Sequence, residues 1–432
     1  MVLLILFLSF LICTAEALDI QVGHHERPHG AVILVVDGLG SSYVYPEHNP
    51  YALDGTPLEK ATLFNLTGRG ARVIDVRVPL PETRRSHQVL ITGSLSARTD
   101  DLGPTIFDAA RDQGYLCLAV LERGDSIEVL LEQDAVLYLD DNSLHGAQPI
   151  PGFRDGAPSE LRALFSAWGD RFDDYTASRG VEGYASYNLW ALDAAADIVS
   201  HLSGRRFLML VDIGAVDSAG HDLGPDGYRK TIQALDEPLG ELALACRRAG
   251  VLLVVTSDHG MAFPDGDSSG GHSSAKYAGR PESLRVPLVL TGPGVQELNL
   301  AGYWSEVDIA PTLLEILEIQ SWDGRSMPLK SGYDLTVTGA RGELELLRDG
   351  LLLAHASGDE EHRFRDLDMG IYTLRSDGRS LEVVVSGDQE IDLAGPAVPS
   401  LRTRWAVGTL LILAINLAGV LVILRILREG RS

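Results

Sequence analysis

Six residues of this chain have the types and spacing to hold metal ions. Asp37 closes the run Ala31-Val-Ile-Leu-Val-Val36 and is followed by Gly38-Leu39-Gly40. Asp217 and His221 stand four apart in Val216-Asp-Ser-Ala-Gly-His221. Asp258 and His259 are adjacent after Val251-Leu-Leu-Val-Val-Thr-Ser257, and His272 sits in Ser269-Gly-Gly-His272-Ser-Ser274. Taken singly, each has an ordinary reading. Asp37 could cap a helix N-terminus, Asp217 and His221 could be a helix-surface pair, Asp258-His259 a turn, and His272 a solvated loop residue. Together they place oxygen and nitrogen ligands at three strand ends and one neighbouring loop. Carboxylates mixed with imidazoles suit zinc or manganese rather than calcium or an iron–sulfur cluster.

The elements that must carry these residues follow from the apolar pattern. From residue 31 to about 320, short Val/Leu/Ile runs alternate with amphipathic segments. The runs Ala31–Asp37, Arg72–Val78, Tyr115–Val120, Ala135–Leu139, Phe207–Asp212, Val251–Ser257 and Val286–Thr291 read as strands covered on both faces. Helices are expected over Pro104–Gln113, Tyr187–Leu202, Tyr228–Ala249 and Asp308–Leu317. The whole is an α/β sandwich around a mostly parallel sheet, in which ligands gather at the carboxyl ends of the strands. Residues about 124–186 are richer in Asp, Gly and Pro and read as an insertion or cap. Beyond Ser331 the period changes. Alternating segments separated by Asp349-Gly350 and Asp377-Gly378 predict a small β-sandwich over 331–394.

In this order the motifs resemble the alkaline phosphatase superfamily, nearest to its nucleotide pyrophosphatase/phosphodiesterase branch and the GPI ethanolamine-phosphate transferases. Asp217-Ser-Ala-Gly-His221-Asp-Leu-Gly-Pro225 is similar to the Asp-Ser-x-Gly-His-x-x-Gly-Pro element of the former. Asp258-His-Gly-Met261, Gly-Gly-His272 and Val286-Pro-Leu-Val-Leu-Thr-Gly-Pro-Gly294 resemble both groups, and Asp308-Ile-Ala-Pro-Thr-Leu-Leu314 resembles a helix start of sulfatase-like proteins. The resemblance covers about residues 31–327, and implies an alkaline phosphatase-like sandwich with two divalent ions, zinc or alternatively manganese. One ion would be held by Asp217, His221 and His272, the other by Asp37, Asp258 and His259 with the nucleophile as a further ligand. Thr83-Arg-Arg-Ser-His87-Gln-Val-Leu-Ile-Thr-Gly93 matches the frame that carries a threonine nucleophile, so the resemblance implies Thr83 in that role, with Ser86 as the alternative. Arg84 and Arg85 depart from the phosphodiesterase pattern, and either bind phosphate or an anionic substrate or are simply solvated. The sulfatase nucleophile pattern, Cys or Ser followed by x-Pro-x-Arg, is absent. The implied activity is a phosphoester hydrolase or phosphotransferase working through a phosphothreonine. Two rivals stand beside it: a phosphoglycerate mutase-like transferase, whose family carries a larger insertion and works in the cytoplasm, and a metal-braced surface binding module without turnover.

Composition narrows the setting. The 432 residues carry 60 acidic against 36 basic side chains, a net charge of −24, which argues against a nucleic-acid partner, since phosphate backbones need clustered Lys and Arg. Val2–Cys13 is apolar apart from Ser9 and precedes Ala15-Glu-Ala17, so residues 1–17 read as a signal peptide, cleaved before Leu18 or kept as an anchor, with 18–30 as a lead into the first strand. Trp405–Leu424 is an apolar run interrupted by Thr409 and Asn416, with Arg on both sides. At 1.5 Å per residue it is about as long as a bilayer's hydrocarbon core is thick. The expectation is a linker over 395–404, a transmembrane helix over 405–426, a cytoplasmic tail over 427–432 and an extracytoplasmic catalytic body. Lipid head groups, envelope glycans or extracellular nucleotides are then the substrates at hand. Cys117 and Cys246 are expected as buried free thiols, Asn65-Leu-Thr67 is a glycosylation sequon, and His24, His25 and His29 are expected to lie in a solvated lead.

Overall fold

The computed structural model describes residues 16–17, 19–23, 27–63, 65, 70–98, 102–122, 127–139, 146–320, 324–330, 332–340, 342–357, 361–368, 370–385 and 388–394. The expected signal run up to residue 15, the linker, the transmembrane segment and the tail lie outside the described residues, as do His24, His25 and Thr67. Among the described residues, no helix is long and apolar enough to cross a membrane. The chain forms two units, residues 1–330 and 331–432.

In the first unit the strands are β1 (Glu16–Ala17), β2 (Ile20–Gln21), β3 (Ala31–Val36), β4 (Ala71–Arg77), β5 (Leu116–Leu121), β6 (Ala135–Leu139), β7 (Pro149–Phe153), β8 (Phe207–Ile213), β9 (Leu252–Thr256), β10 (Arg285–Thr291), β11 (Leu298–Ser305) and β12 (Leu329–Lys330). Ten of them make one sheet in the order β1-β11-β4-β10-β9-β3-β8-β5-β6-β7, while β2 pairs with β12. The run from β9 to β6 is parallel throughout, β10 is antiparallel to both its neighbours, and β7 is antiparallel to β6. The sequence explains the layering. Alternate residues of β3 feed opposite cores: Val32, Leu34 and Val36 join Phe165 and Trp190, whereas Ala31, Ile33 and Val35 join Phe107 and Leu313. A strand apolar at every position is thus buried on both faces.

Some expectations are revised. The segment Tyr228–Ala249 is not one helix: Ala215–Gln233 and Asp236–Ala249 are separate, and the former is kinked at Gly224, whose φ of 67° and ψ of −170° precede Pro225. Periodicity misses this because both helices present apolar stripes to the same sheet. The stretch around 124–186 contributes β6 and β7 to the main sheet, and the helix Ser159–Asp170 packs on them, so its described part is built into the sandwich. Glu16–Ala17, which a cut before Leu18 would remove, pairs with Asn299 and Leu300 of β11. His29 is half-buried and donates its backbone N–H to Gly250 at 3.2 Å, so it is packed rather than solvated. The Asn65 side chain donates to the Asp236 carbonyl at 3.0 Å. Cys117 and Cys246 are buried free thiols, as expected.

The second unit is the expected β-sandwich. Strands β13 (Tyr333–Thr338), β14 (Glu343–Arg348), β15 (Leu351–Ser357), β16 (His362–Leu367), β17 (Gly370–Ser376), β18 (Arg379–Val385) and β19 (Gln389–Asp392) form sheets of order β16-β13-β19 and β15-β14-β17-β18. Leu335, Val337, Leu344, Leu346, Tyr372, Leu374 and Val385 make its core. At both foreseen turns the two central residues have positive φ, 51° and 80° at Asp349-Gly350 and 49° and 71° at Asp377-Gly378. That is the two-residue hairpin geometry that Asp-Gly favours.

Candidate metal centre

All six residues meet at the carboxyl ends of the parallel strands. Asp37 follows β3, and Asp258 with His259 follows β9; these neighbours in the sheet lie side by side. Asp217 and His221 occupy the first turns of the helix Ala215–Gln233 that follows β8, the other neighbour of β3. Asp37, Asp258 and His259 are fully buried, and Asp217 is 1% exposed. His259 Nε2 lies 3.3 Å from both Asp37 Oδ1 and Asp258 Oδ2. Asp217 Oδ1 lies 3.3 Å from His221 Nε2 and 3.6 Å from His272 Nε2. The His259 and His272 rings stack with centroids 3.6 Å apart. One ligand-like group is Asp217, His221 and His272, and a second is Asp37, Asp217 and His259. Asp217 belongs to both.

The proton positions of the three imidazoles follow from their partners. Nδ1 of His221, His259 and His272 faces the backbone carbonyl of Gly270 (3.1 Å), Gly260 (3.1 Å) and Pro81 (2.7 Å) respectively. A carbonyl only accepts, so each Nδ1 carries the proton and each Nε2 offers a lone pair to the centre. Burial, and then the neighbouring His259, hold the His272 imidazole below its ordinary range, which favours the neutral form a cation needs. Asp258 Oδ2 is buried without a hydrogen-bond donor. Buried carboxylate oxygen and imidazole lone pairs converging on one point are costly unless a cation joins them. The residues therefore fit divalent metal, and with three carboxylates and three imidazoles the donor set suits zinc or manganese.

Thr83 is the first residue of the helix Thr83–Thr92, and its hydroxyl donates to His259 Nε2 at 3.1 Å. Its neighbours on that helix are engaged elsewhere. Ser86 is buried and donates to the Asp258 carbonyl at 2.6 Å and to Glu306. Arg85 is half-buried with its guanidinium on the carbonyls of Ala97 (2.6 Å) and Leu95 (3.3 Å), while Arg84 is exposed.

Several supporting residues were not legible as motifs. The Tyr228 hydroxyl donates to Gly38 O (2.6 Å) and accepts from Gly40 N–H (3.1 Å), fixing the turn after Asp37. Gly38 has φ 80°, and a Cβ there would stand 2.8 Å from Cα and Cβ of Asp217. Gly38→Ala is therefore expected to weaken metal binding and to destabilise by about 1–2 kcal/mol or more from backbone strain alone, read by melting with and without chelator. Glu122, Asp212 and Glu306 are buried beneath the centre. Burial pushes the Glu122 carboxyl well above its ordinary range, the Gly214 N–H opposing and Asp212 adding. The folded chain thus keeps a proton that the unfolded chain releases, and stability falls as pH rises above the ordinary carboxylate range. Glu122→Gln, always neutral, is expected to melt progressively higher than the parent between about pH 5 and about pH 8 when both are metal-free.

Residues 182–321, which carry Asp217, His221, Asp258, His259 and His272, match the model of the metalloenzyme superfamily. Beyond it, the chain is 30% identical over 154 residues to a phosphopentomutase of Herpetosiphon aurantiacus, covering 35% of this chain and 36% of that one. It is 33% identical over 129 residues to a 2,3-bisphosphoglycerate-independent phosphoglycerate mutase of Myxococcus xanthus, covering 29% and 24%. The chain thus spans about a quarter to a third of the length of these relatives. Among solved structures, a variant of alkaline phosphatase PafA superposes with TM-score 0.50 at 13% identity, over 70% of this chain and 98% of that one. The matched segment therefore sits in an alkaline phosphatase-like α/β fold. Asp37 and Thr83 lie upstream of the matched segment and reach its ligands only through the fold.

Proposed function

We propose that the chain is a metal-dependent phosphoester hydrolase or phosphotransferase in which Thr83 is the nucleophile. The observation that carries this reading is the Thr83 hydroxyl donating to His259 Nε2, a nitrogen that belongs to one of the two candidate ligand groups. A scaffold braced by metal has no use for a hydroxyl at that point. Asp217, His221 and His272 would hold one ion, and Asp37, Asp258 and His259 the other, with Asp217 also within reach of that second ion. When bound, such ions lower the pKa of a hydroxyl and stabilise an anionic leaving oxygen.

Thr83 Oγ1 would form a bond to phosphorus as the bond from phosphorus to the leaving alcohol breaks, the Thr83 proton passing to solvent and the departing oxygen taking one up. The N-terminus of a ten-residue helix directs its N–H groups toward the charge that develops. An oxygen of water or of an acceptor alcohol then replaces Thr83 on phosphorus. Arg84, exposed beside Thr83, would meet a negatively charged substrate; Arg85 would first have to leave Ala97 and Leu95. Similarity to two mutases gives weight to an alcohol as the second acceptor, and the alkaline phosphatase-like fold accommodates water equally. The apolar run at 405–424 supports a membrane-tethered protein whose substrates are lipid head groups, glycans or nucleotides outside the cell.

The test is release of p-nitrophenol from mono- and diester substrates by the full-length chain, with and without chelator, alongside metal analysis of the same sample. Chelator-sensitive release, with phosphate passing to water or to an added alcohol, supports the reading and separates its two forms. A protein that binds two ions yet turns over neither ester would instead be the binding module.

A further inference from the structure

His87 stands one helical turn beyond Thr83 on the same face of its helix, and its side chain is 3% exposed. Its Nε2 lies 3.8 Å from Asp258 Oδ2 and 4.0 Å from Asp212 Oδ1. These separations are too long for a hydrogen bond, and the ring packs against the two carboxylates. The orientation of the Asp258 carboxylate gives this contact its meaning. Oδ1 accepts from the N–H groups of Gly38 (3.0 Å) and His259 (2.9 Å). That leaves Oδ2 between His259 Nε2, at 3.3 Å, and the His87 ring. Thr83 donates to that same His259 nitrogen. Two residues four apart on the helix thus engage two adjacent residues at the end of β9: Thr83 meets His259, and His87 meets Asp258. Ser86 also ties the helix to Asp258, but through the main-chain carbonyl, which sets the helix register without touching the carboxylate.

We propose that His87 is a positioning residue that aims Asp258 Oδ2 at the ion shared with Asp37 and His259, and thereby couples the seat of the nucleophile to the affinity for that ion. This rests on the two-ion reading above. A His87 that merely filled space would be replaceable by an apolar ring of similar size with no effect on metal binding. Positioning predicts a split: one ion loosened, the other untouched.

The experiment uses the full-length chain as wild type, His87→Gln and His87→Phe, titrated with zinc against a competing chelator after metal removal. The expected result is that one of two ions binds roughly 10–100-fold more weakly in both variants, the range usual for groups that orient a metal ligand, while the other keeps its wild-type affinity. In the p-nitrophenyl ester assay kcat should fall with KM little changed, and His87→Gln should lose less than His87→Phe, since an amide keeps a polar group facing the carboxylate. Wild-type affinity for both ions in either folded variant overturns the proposal while leaving the function reading intact. A wild-type protein that binds fewer than two ions overturns both. If His87→Phe does not fold, His87→Gln alone decides the outcome.

Discussion

Thr83→Ala is expected to lower kcat for phosphoester turnover by roughly three orders of magnitude or more, with both ions still bound. The hydroxyl donates to His259 Nε2 at 3.1 Å, and the methyl group left by the substitution cannot attack phosphorus. What survives is whatever rate water achieves within the remaining ion and helix fields. Thr83→Ser should retain most activity, because it keeps an oxygen on the same Cβ. Ser86→Ala should behave in another way: its hydroxyl is buried against the Asp258 carbonyl and Glu306, so the loss should appear in the melting temperature before it appears in kcat. Steady-state kinetics, metal content and trapping of labelled phosphate on the protein read these outcomes. Wild-type turnover by Thr83→Ala, with no phosphate trapped at that position, would remove Thr83 as nucleophile.

Asp217→Asn is expected to strip both ions at once, whereas His221→Ala should strip one. The reason is that Asp217 belongs to both ligand groups and His221 to one. With free metal 1,000-fold above its dissociation constant, each ion stabilises the fold by about 4 kcal/mol, so losing both should lower the melting temperature by roughly 10 °C or more. The sign should reverse without metal. Asp217 lies in the field of Asp258 and adds to the upward pressure on its carboxyl, after burial. Neutralising it should leave the metal-free variant no less stable than metal-free wild type. A calorimetric comparison of the two proteins with and without chelator checks both halves. Equal melting in the presence of excess zinc would mean that Asp217 holds no ion.

Much of this candidate centre could be read from the chain because Asp37 and Asp258-His259 sit where apolar runs stop. Asp37 and Asp258-His259 follow strands whose boundaries the Val/Leu/Ile pattern marks to within a residue. The turns of the β-sandwich were legible for the same local reason, Asp-Gly between alternating segments. What escaped depends on which strands are neighbours. Asp212 and Glu122 end β8 and β5 with no motif around them, and they acquire a role only because β8 lies between β3 and β5. Tyr228 could not be foreseen as a brace, since its hydroxyl reaches Gly38, 190 positions away. The break between the helices Ala215–Gln233 and Asp236–Ala249 escaped because no glycine or proline stands at positions 234–235 to announce it.

The carbonyls of Gly260, Gly270 and Pro81, which face Nδ1 of the three imidazoles, have a consequence for how such a protein could diversify. Every residue type brings a main-chain oxygen, so the acceptors need no particular side chain, although a Cβ at Gly260 would stand 2.0 Å from the Glu282 carbonyl oxygen and one at Gly270 2.7 Å from Met261 Sδ, which keeps those two positions glycine. Rims, caps and substrate contacts could then be rebuilt while the tautomers of the metal-facing rings stay as they are. The reactive core would be insulated from change by the backbone itself.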